Sequence, residues 1–381
     1  MFIPYGKHYI DQEDINAVIE ALQADYIATG PGIDEFENAF AAYTGARYAV
    51  AVSSGTAALH ACCYAIGIQE GDEVITTPMT FVSTASSIMF CQGTPVFADI
   101  DENTYNIDPD DVERKITPKT KAIMPVHFTG QPCNMKRIYE IAQKHGLKII
   151  EDAAHAHGAD YYGSKIGRCE YSDLTAFSFH PVKLMTTCEG GMVTTNDEQL
   201  YHKMKLFRAY CSTKDTQMLK DKTDGPWHYE IQGLGYNYRL SDVMCALGKS
   251  QLSKLNDFVA RRRAIAQKYN EELQGIAGLI LPKQLESCNS SWHLYTVQIQ
   301  NERRREIYMK MRERGIGVDV HYLPVYKHPY FQENGYLNVR CPKAEMLYSR
   351  ILSIPIYYGL TDEQQDFVIK TVKDLLQYGS T

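Results

Sequence analysis

The sequence predicts an α/β protein whose main sheet is mostly parallel and covered by helices on both faces. Strands and helices alternate between residues 48 and 195, and the strands are short, almost continuous apolar runs. Strands buried on both faces have this pattern, whereas half-buried strands alternate apolar and polar residues. The chain has 381 residues, more than one average-sized core requires. We therefore expect a large domain over residues 1–255 and a smaller α+β domain over residues 256–381.

Local patterns give the order of the elements. Asp11 is a candidate N-cap of a first helix whose apolar residues Ile15, Val18, Ile19 and Leu22 share one face, which should pack inward. A second amphipathic helix follows near residues 36–40. The expected strands of the main sheet are 48–52, 73–77, 95–100, 121–128, 147–152, 174–179 and 192–195. The expected helices among them follow Gly55 and span about 81–92, 108–116, 134–145 and 198–210.

The C-terminal third is predicted to be α+β. A helix from Ser241 to about Tyr269 precedes a strand at 293–299, a helix at 302–314 and a strand at 318–322. Inside the first of these helices, the basic run 261–263 is predicted to be a solvated face. No low-complexity linker marks the domain boundary.

Composition excludes several classes of protein. Charged residues make up 22% and apolar residues 44% of the chain, and the net charge is -7, which argues against a nucleic-acid-binding surface. No apolar stretch is long enough for a membrane span and no secretory signal begins the chain, so a cytoplasmic location is expected. The ten cysteines form no Cys-x-x-Cys pair. Buried thiols are therefore predicted, and no metal is expected.

A candidate phosphate site follows the first strand of the main sheet. Gly55 and Thr56 stand where the apolar run 48–52 passes into an alanine-rich helix. The first backbone N–H groups of a helix have no intrahelical acceptor and lie at its positive end, so they bind anions. An ordinary strand-to-helix cap is the alternative at this point.

Lys183 is the candidate catalytic residue. It lies in a turn between two strands, after His180-Pro181 and before Gly190-Gly191. Taken alone it is a loop lysine. Asp152, however, ends another strand of the same sheet, and functional groups gather at the carboxyl ends of parallel strands. A lysine that forms an imine, a carboxylate for a pyridine nitrogen and a phosphate cradle are what pyridoxal 5'-phosphate requires.

Four runs carry a specific resemblance: Glu-Asp-Ala-Ala-His-Ala at 151–156, Phe-Ser-Phe-His-Pro-Val-Lys at 177–183, Glu-Gly-Gly at 189–191 and Gly-Tyr-Asn-Tyr-Arg-Leu-Ser at 235–241. They resemble the DegT/DnrJ/StrS-type sugar aminotransferases, and the likeness extends from Tyr-Ile-Ala-Thr-Gly at 26–30 to the run His-Tyr-Leu-Pro-Val-Tyr at 321–326. The resemblance implies fold type I of the pyridoxal-phosphate enzymes, with a mostly parallel, seven-stranded-type sheet and a smaller C-terminal domain.

The resemblance also implies roles for individual residues. Lys183 would form the Schiff base and move protons, Asp152 would pair with the pyridinium, and His155 would contact the phenolic oxygen or stack nearby. The remaining implied cofactor contacts are Gly55, Thr56, Phe81, Ser178 and, from the neighbouring subunit of a homodimer with shared active sites, Asn237. The implied substrate contacts are Tyr5, Tyr26, Ile27, Ala28, Thr29, Arg239, Val320, His321, Tyr322 and Leu323.

The implied reaction is transamination from L-glutamate, through pyridoxamine phosphate, to a nucleotide-linked keto sugar. Within the family, the runs around Lys183 and His321 are most similar to the enzyme type of pseudaminic acid biosynthesis. This favours C4 amination of a UDP-linked 4-keto-6-deoxy-N-acetylhexosamine. Another UDP- or dTDP-linked sugar aminated at C3 or C4 is the alternative. A sugar dehydratase is disfavoured because a histidine replaces the lysine in those relatives, and a non-catalytic regulator should have lost the lysine or the acid.

Overall fold

The computed structural model describes residues 2–221 and 225–377. Residue 1 and residues 222–224 of the predicted large domain, and residues 378–381 of the predicted small domain, therefore lie outside the described residues. The helices are α1 (Gln12–Gln23), α2 (Gly32–Thr44), α3 (Gly55–Ala65), α4 (Ser83–Phe90), α5 (Pro109–Arg114), α6 (Met135–His145), α7 (Glu198–Phe207), α8 (Asp242–Leu273), α9 (Arg304–Glu313), α10 (Pro329–Phe331), α11 (Pro342–Arg350) and α12 (Asp362–Gln377).

The strands of the main sheet are β1 (Tyr48–Val52), β2 (Glu73–Thr76), β3 (Thr94–Phe97), β4 (Thr120–Met124), β5 (Lys148–Asp152), β8 (Leu174–Ser178) and β9 (Gly191–Thr195). The short strands are β6 (Asp160–Tyr161), β7 (Ser164–Lys165), β10 (Ser212–Thr213), β11 (Glu230–Ile231), β12 (Leu279–Ile280) and β13 (Cys288–Asn289), and the C-terminal sheet adds β14 (Tyr295–Ile299) and β15 (Ile351–Ile354).

The main sheet has seven strands in the order β1-β9-β8-β5-β4-β2-β3. β9 pairs antiparallel with both of its neighbours, and the other pairings in this sheet are parallel. Successive residues of β5 belong to different hydrophobic clusters, Ile149 to one and Ile150 to the other. Since neighbouring side chains of a strand point to opposite faces, both faces of the sheet are covered. The predicted fold class is confirmed.

The order of the strands brings the predicted site together. β5 pairs in parallel with β4 and β8, so Asp152 and Ser178, the last residues of β5 and β8, lie at the same edge. The turn after β8 carries Lys183, and the backbone N–H of Lys183 donates to the carbonyl of His180 at 2.9 Å. The carboxyl ends of β5 and β8 therefore form the floor of one site.

A separate hydrophobic cluster fills the C-terminal part, around the three-stranded sheet β12-β14-β15 with α9 and α12. Helix α8 runs unbroken from residue 242 to residue 273 and so continues across residue 255. The division of the chain at residue 255 stays a prediction. The strand expected at 318–322 is reduced to a single bridge between Asp319 and Ser353.

Two predictions about helix faces were wrong. Helix α1 does pack on α8, but through the buried carboxylate of Asp14, which accepts from Gln251 Nε2 at 2.7 Å and pairs with Lys254. The predicted inward residues Ile15, Ile19 and Leu22 are exposed. The basic run 261–263 is also not a solvated face, because Arg262 is buried and donates to the carbonyls of residues 292, 293 and 356.

The cysteines are free thiols, and seven of the ten are buried, as predicted for small apolar residues. Cys188 is the exposed exception. Among the described residues, no helix is long and apolar enough to cross a membrane.

Candidate active site

A cavity of about 310 Å³ opens at the carboxyl ends of β1, β5 and β8. Ten of the sequence-predicted site residues line it: Tyr5, Gly55, Thr56, Phe81, Asp152, His155, Ser178, Lys183, His321 and Tyr322. Its volume falls at the lower end of the range for small-molecule pockets, roughly 300–1,000 Å³. A single cavity therefore joins residues that are more than 300 positions apart in the chain.

The start of helix α3 forms an anion cradle. Ser54 caps the helix by accepting from the N–H of Ala57 at 3.0 Å. The N–H groups of Gly55 and Thr56 have no acceptor within the described part of the chain. A Cβ at Gly55 would lie 2.6 Å from Cβ of Ser178, so only glycine lets the helix start approach β8 this closely. Two amides and two hydroxyls, those of Thr56 and Ser178, thus suit a phosphate.

Lys183 lines the cavity and is partly exposed to it. Desolvation lowers the pKa of Lys183 to about 8, although the negative charge of Asp152 acts in the opposite direction. The ammonium group forms no hydrogen bond with residues 2–221 or 225–377. A lysine with these properties has a substantial neutral fraction near physiological pH and can act as a nucleophile or a base.

Asp152 is the buried acid of the site, with 4% of its surface exposed. One carboxylate oxygen accepts from Thr84 Oγ1 at 2.7 Å, and the other accepts from the N–H of Ala154 at 3.1 Å. Burial raises the pKa of Asp152, while these two donors and the charge of Lys183 oppose that rise. The carboxylate is held in one orientation, as a partner for a protonated ring nitrogen requires.

A second acid, Glu151, lies next to Asp152 on β5 but does not line the cavity. It is buried and bonds to His127 Nε2 at 2.6 Å, and it accepts from Thr175 Oγ1 at 2.9 Å. Burial by itself raises the pKa of Glu151, but His127 and the hydroxyl donors bring it below its usual value. This acid is fully occupied by structural contacts. Of the two acids that line the cavity, Asp152 is buried and Glu189 is exposed, which leaves Asp152 as the buried carboxylate.

Several aromatic residues enclose the buried side of the cavity. The ring of His155 lies 4.4 Å from that of His293, and His155 Nε2 is 3.4 Å from the hydroxyl of Tyr322. Burial, and secondarily the positive charge of Lys183, lowers the pKa of His155 well below its usual value. His321 is held by the hydroxyl of Ser353 at 2.8 Å from its Nδ1. The imidazole of His155 is therefore neutral and can stack on a flat ligand.

Eight predicted residues do not line this cavity of a single chain: Tyr26, Ile27, Ala28, Thr29, Asn237, Arg239, Val320 and Leu323. Tyr26, Ile27 and Asn237 are exposed. Their roles in binding stay predictions.

Thr84 is a site residue that sequence reasoning missed. Its hydroxyl bonds to Asp152 and also to Thr80 Oγ1 at 2.7 Å, four residues earlier. The spacing of two threonines beyond a strand end is a weak signal. Nothing in the sequence pairs Thr84 with an acid 68 positions away.

The arrangement of a partly exposed lysine, a buried carboxylate and an anion cradle around one cavity defines a pyridoxal-phosphate-dependent enzyme. Residues 8–373 match the DegT/DnrJ/EryC1/StrS aminotransferase family, and the chain belongs to that family. It is a pyridoxal-phosphate-dependent sugar aminotransferase.

Relatives agree over nearly the full length. The chain is 43% identical over 382 aligned residues to the spore coat polysaccharide biosynthesis protein SpsC of Bacillus subtilis, covering 99% of this chain and 97% of SpsC. It is 40% identical to the uncharacterized protein MJ1066 of Methanocaldococcus jannaschii, with 98% of each chain covered.

Solved structures agree as well. Helicobacter pylori PseC, an aminotransferase involved in the biosynthesis of pseudoaminic acid, superposes with a TM-score of 0.92 at 31% identity, covering 99% of this chain and 100% of PseC. The sugar aminotransferase Spr1654 of Streptococcus pneumoniae, described as putative, is also similar. Its structure with pyridoxal phosphate has a TM-score of 0.92 at 30% identity and full coverage of both chains.

The hydrogen bond from Thr84 leads to a prediction. Thr84→Val removes a charge-assisted hydrogen bond to Asp152, and we expect kcat/KM to fall roughly tenfold or more, since such bonds contribute about 1.5–3 kcal/mol. Thr84→Ser keeps the hydroxyl and should stay near wild type. Steady-state kinetics at saturating cofactor, with thermal unfolding to verify folding, measure the effect. A folded valine variant with unchanged kinetics would show that the bond is not needed.

The lowered pKa of Lys183 leads to a second prediction. The rate at which the cofactor-free protein reacts with pyridoxal phosphate should rise roughly tenfold from pH 7 to pH 9 and level off, because the neutral amine fraction follows a pKa of about 8. A lysine with an ordinary pKa would rise about a hundredfold without a plateau over this range. Stopped-flow absorbance measures the rate. A continued rise beyond pH 9 would contradict the shifted pKa.

Proposed function

We propose that this protein transfers the amino group of L-glutamate to C4 of a UDP-linked 4-keto-6-deoxy-N-acetylhexosamine, in a pathway of the pseudaminic acid type. The observation that carries the aminotransferase part is Lys183 facing the same cavity as Asp152 and the α3 cradle. The sugar assignment rests on the resemblance of the runs around Lys183 and His321. It is supported by the similarity to PseC over 99% of the chain.

Residues of this chain would hold each part of the cofactor. Gly55, Thr56 and Ser178 would hold the cofactor phosphate, and Asp152 would face the ring nitrogen. Phe81 and His155 would lie near the ring. Pyridoxal phosphate, when bound, supplies an electron sink for the carbon that bears the amino group.

Lys183 would act as the acid and base of the reaction. Its Nζ would take the proton from the α-carbon of glutamate and return a proton to the carbon on the other side of the transferred nitrogen. In the half-reaction with the keto sugar, Nζ would move a proton in the opposite direction, to C4 of the sugar. A pKa of about 8 suits this exchange, since a group that titrates near the working pH both accepts and releases protons readily.

The keto sugar would contact Tyr5, His321 and Tyr322, which line the cavity. The other contacts to the sugar nucleotide would come from residues that do not line the cavity of a single chain: Tyr26, Ile27, Ala28, Thr29, Arg239, Val320 and Leu323. The hydroxyls of Tyr5 and Tyr322 remain protonated, because burial raises the pKa of both, so they can donate to sugar or phosphate oxygens.

A homodimer with shared active sites would bring Asn237 to the partner's phosphate cradle. Support comes from large apolar side chains that the single chain leaves exposed near this segment, including Leu234 at 81% and Trp227 at 69%. Mixing Lys183→Ala subunits with Asn237→Ala subunits tests this sharing. Activity in the mixture that exceeds the sum of the two variants measured alone supports shared sites. Activity equal to that sum would contradict them.

The experiment that tests the proposed reaction combines donor and acceptor. Glutamate alone should bleach the visible band of the cofactor-loaded protein and yield 2-oxoglutarate. A panel of UDP- and dTDP-linked keto sugars should then give one amine, which NMR locates at C4. Bleaching by no amino donor would overturn the aminotransferase assignment. Amination at C3, or of a dTDP sugar only, would overturn the sugar assignment and leave the reaction class intact.

Borohydride reduction of the cofactor-loaded protein distinguishes the aminotransferase from the dehydratase alternative. Borohydride should fix the cofactor to the peptide that contains Lys183, because a lysine is present where those relatives have a histidine. Recovery of the unmodified peptide would favour the dehydratase.

A further inference from the structure

A second cavity, of about 240 Å³, lies outside the active site and shares no lining residue with it. One wall comes from the segment after β3, with Ile100 and Tyr105, and the other from Ile280 of β12, Gln298 of β14 and helix α11. The cavity therefore sits between the main sheet's periphery and the C-terminal sheet. Its volume is a little below the roughly 300 Å³ at which pockets for drug-sized molecules begin, so it suits a small ligand.

The cavity carries an excess of positive charge. Lys283, Lys343 and Arg350 line it against one acid, Glu102. Lys343 pairs with Asp108 at 3.3 Å. Among the residues that the structure describes, Lys283 Nζ donates only to the neutral amide oxygen of Asn103, at 3.0 Å.

Arg350 is the basic group without a partner. It ends helix α11, and its side chain forms no ion pair or hydrogen bond within residues 2–221 and 225–377. A guanidinium offers five donors in a fork that matches a phosphate or carboxylate. An anion at this wall would give Arg350 the acceptor it lacks in the single chain.

The floor of the cavity is polar and buried. Tyr105 is 3% exposed and Gln298 is 7% exposed, and Gln298 Nε2 donates to the Tyr105 hydroxyl at 3.1 Å. The proton of that hydroxyl has no acceptor among the described residues, although a buried donor without an acceptor is costly. One ligand hydroxyl could accept a hydrogen bond from Tyr105, while a second could donate a hydrogen bond to the amide oxygen of Gln298.

The start of helix α11 is already occupied and does not explain the cavity. The carboxylate of Asp99 accepts from the N–H groups of Lys343 and Ala344, at 3.0 and 2.9 Å. The binding groups are therefore side chains of the cavity itself.

We propose that this cavity binds a small phosphorylated sugar, with the phosphate on Arg350 and Lys283 and the sugar hydroxyls on Tyr105 and Gln298. The apolar walls at Ile280, Leu281 and Met346 would contact the ring carbons. Because the cavity exists only in the folded chain, ligand binding stabilises the folded state by linkage.

The test uses the full-length, cofactor-loaded protein and glucose 6-phosphate as the probe in titration calorimetry. We expect saturable binding that is tighter than for inorganic phosphate and absent for glucose. Arg350→Ala should raise Kd roughly tenfold or more, because it removes a charge-assisted contact. Arg305→Ala, which removes an exposed arginine of helix α9, is the matched control and should leave Kd unchanged.

A second variant, Tyr105→Phe, should also weaken glucose 6-phosphate while leaving the affinity for inorganic phosphate unchanged, since only the sugar hydroxyl contact is lost. Both variants should keep wild-type transamination, which separates this cavity from the active site. Equal Kd values for wild type and Arg350→Ala, or equal affinities for glucose 6-phosphate and phosphate, would overturn the proposal. No detectable binding of the probe to the wild type would overturn it as well.

Discussion

Lys183→Ala should lower kcat by roughly 10²–10⁴-fold or more, the contribution of a positioned acid and base. Lys183 lines the active-site cavity together with Asp152, and desolvation lowers its pKa to about 8. No other lysine lines this cavity, so within the described residues none can replace it. Steady-state and single-turnover kinetics with glutamate measure the loss. Borohydride treatment should no longer attach cofactor to the chain.

Lys165→Ala is the matched control for this variant. Lys165 is also partly buried and has a pKa lowered by desolvation, but it lies outside the active-site cavity and donates to the hydroxyl of Tyr43 at 3.3 Å. Its removal should leave kcat near wild type. A Lys183→Ala protein that folds, binds pyridoxal phosphate and turns over at the wild-type rate would contradict the assignment of Lys183.

Asp152→Asn should lower kcat/KM by roughly 10²–10⁴-fold, because removing one partner of a buried charge pair costs about 3–5 kcal/mol. The amide has nearly the shape of the carboxylate but cannot stabilise a protonated ring nitrogen. Because the NH₂ group of the amide donates and does not accept, the side chain can accept from Thr84 or from the N–H of Ala154, but not from both. Cofactor affinity and the half-reaction with glutamate are the measurements.

Asp14→Asn serves as the control for loss of a buried acid. Asp14 is fully buried and holds Ser250, Gln251 and Lys254, and none of these four residues lines the cavity. It should lower the unfolding temperature without changing kcat/KM per folded molecule. If Asp152→Asn instead lowered only the unfolding temperature, Asp152 would be a structural acid.

Asp152 and Lys183 line the same cavity because of the strand arrangement, part of which the sequence predicts. Parallel strands place their carboxyl ends at one edge, so a residue that ends β5 and a turn that follows β8 must be neighbours once the sheet order is known. The βαβ alternation predicted such a sheet, and the resembling runs at 151–156 and 177–183 contain predicted residues that line its edge, because local backbone geometry fixes the spacing within a run. Asn237 and Arg239, from the run at 235–241, do not line the cavity of the single chain.

Contacts between distant segments were not predictable in the same way. The bond between Thr84 and Asp152 depends on how helix α4 packs against β5, and no periodicity encodes it. Glu151 and Asp152 are adjacent acids of similar sequence context. Only the pleat of β5, which turns one toward His127 and the other toward the cavity, separates a structural carboxylate from the candidate catalytic one.

The errors have the same origin. The apolar residues of α1 were expected to face inward, yet a buried Asp14 anchors the helix on α8, since four polar groups satisfy its charge there. The run 261–263 was expected to be solvated, yet Arg262 is buried against three backbone carbonyls. Hydropathy assigns charged residues to the surface, and it fails where a tertiary partner compensates the charge.

The sequence by itself determined the fold class, the family and the pairing of Lys183 with Asp152, because these depend on strand periodicity and on short runs with fixed local geometry. The tertiary structure alone decided which hydroxyl orients Asp152, which partners occupy the neighbouring Glu151, and the lowered pKa of Lys183. Burial and charge at one point in space depend on side chains from the whole chain, and a linear pattern does not record their distances.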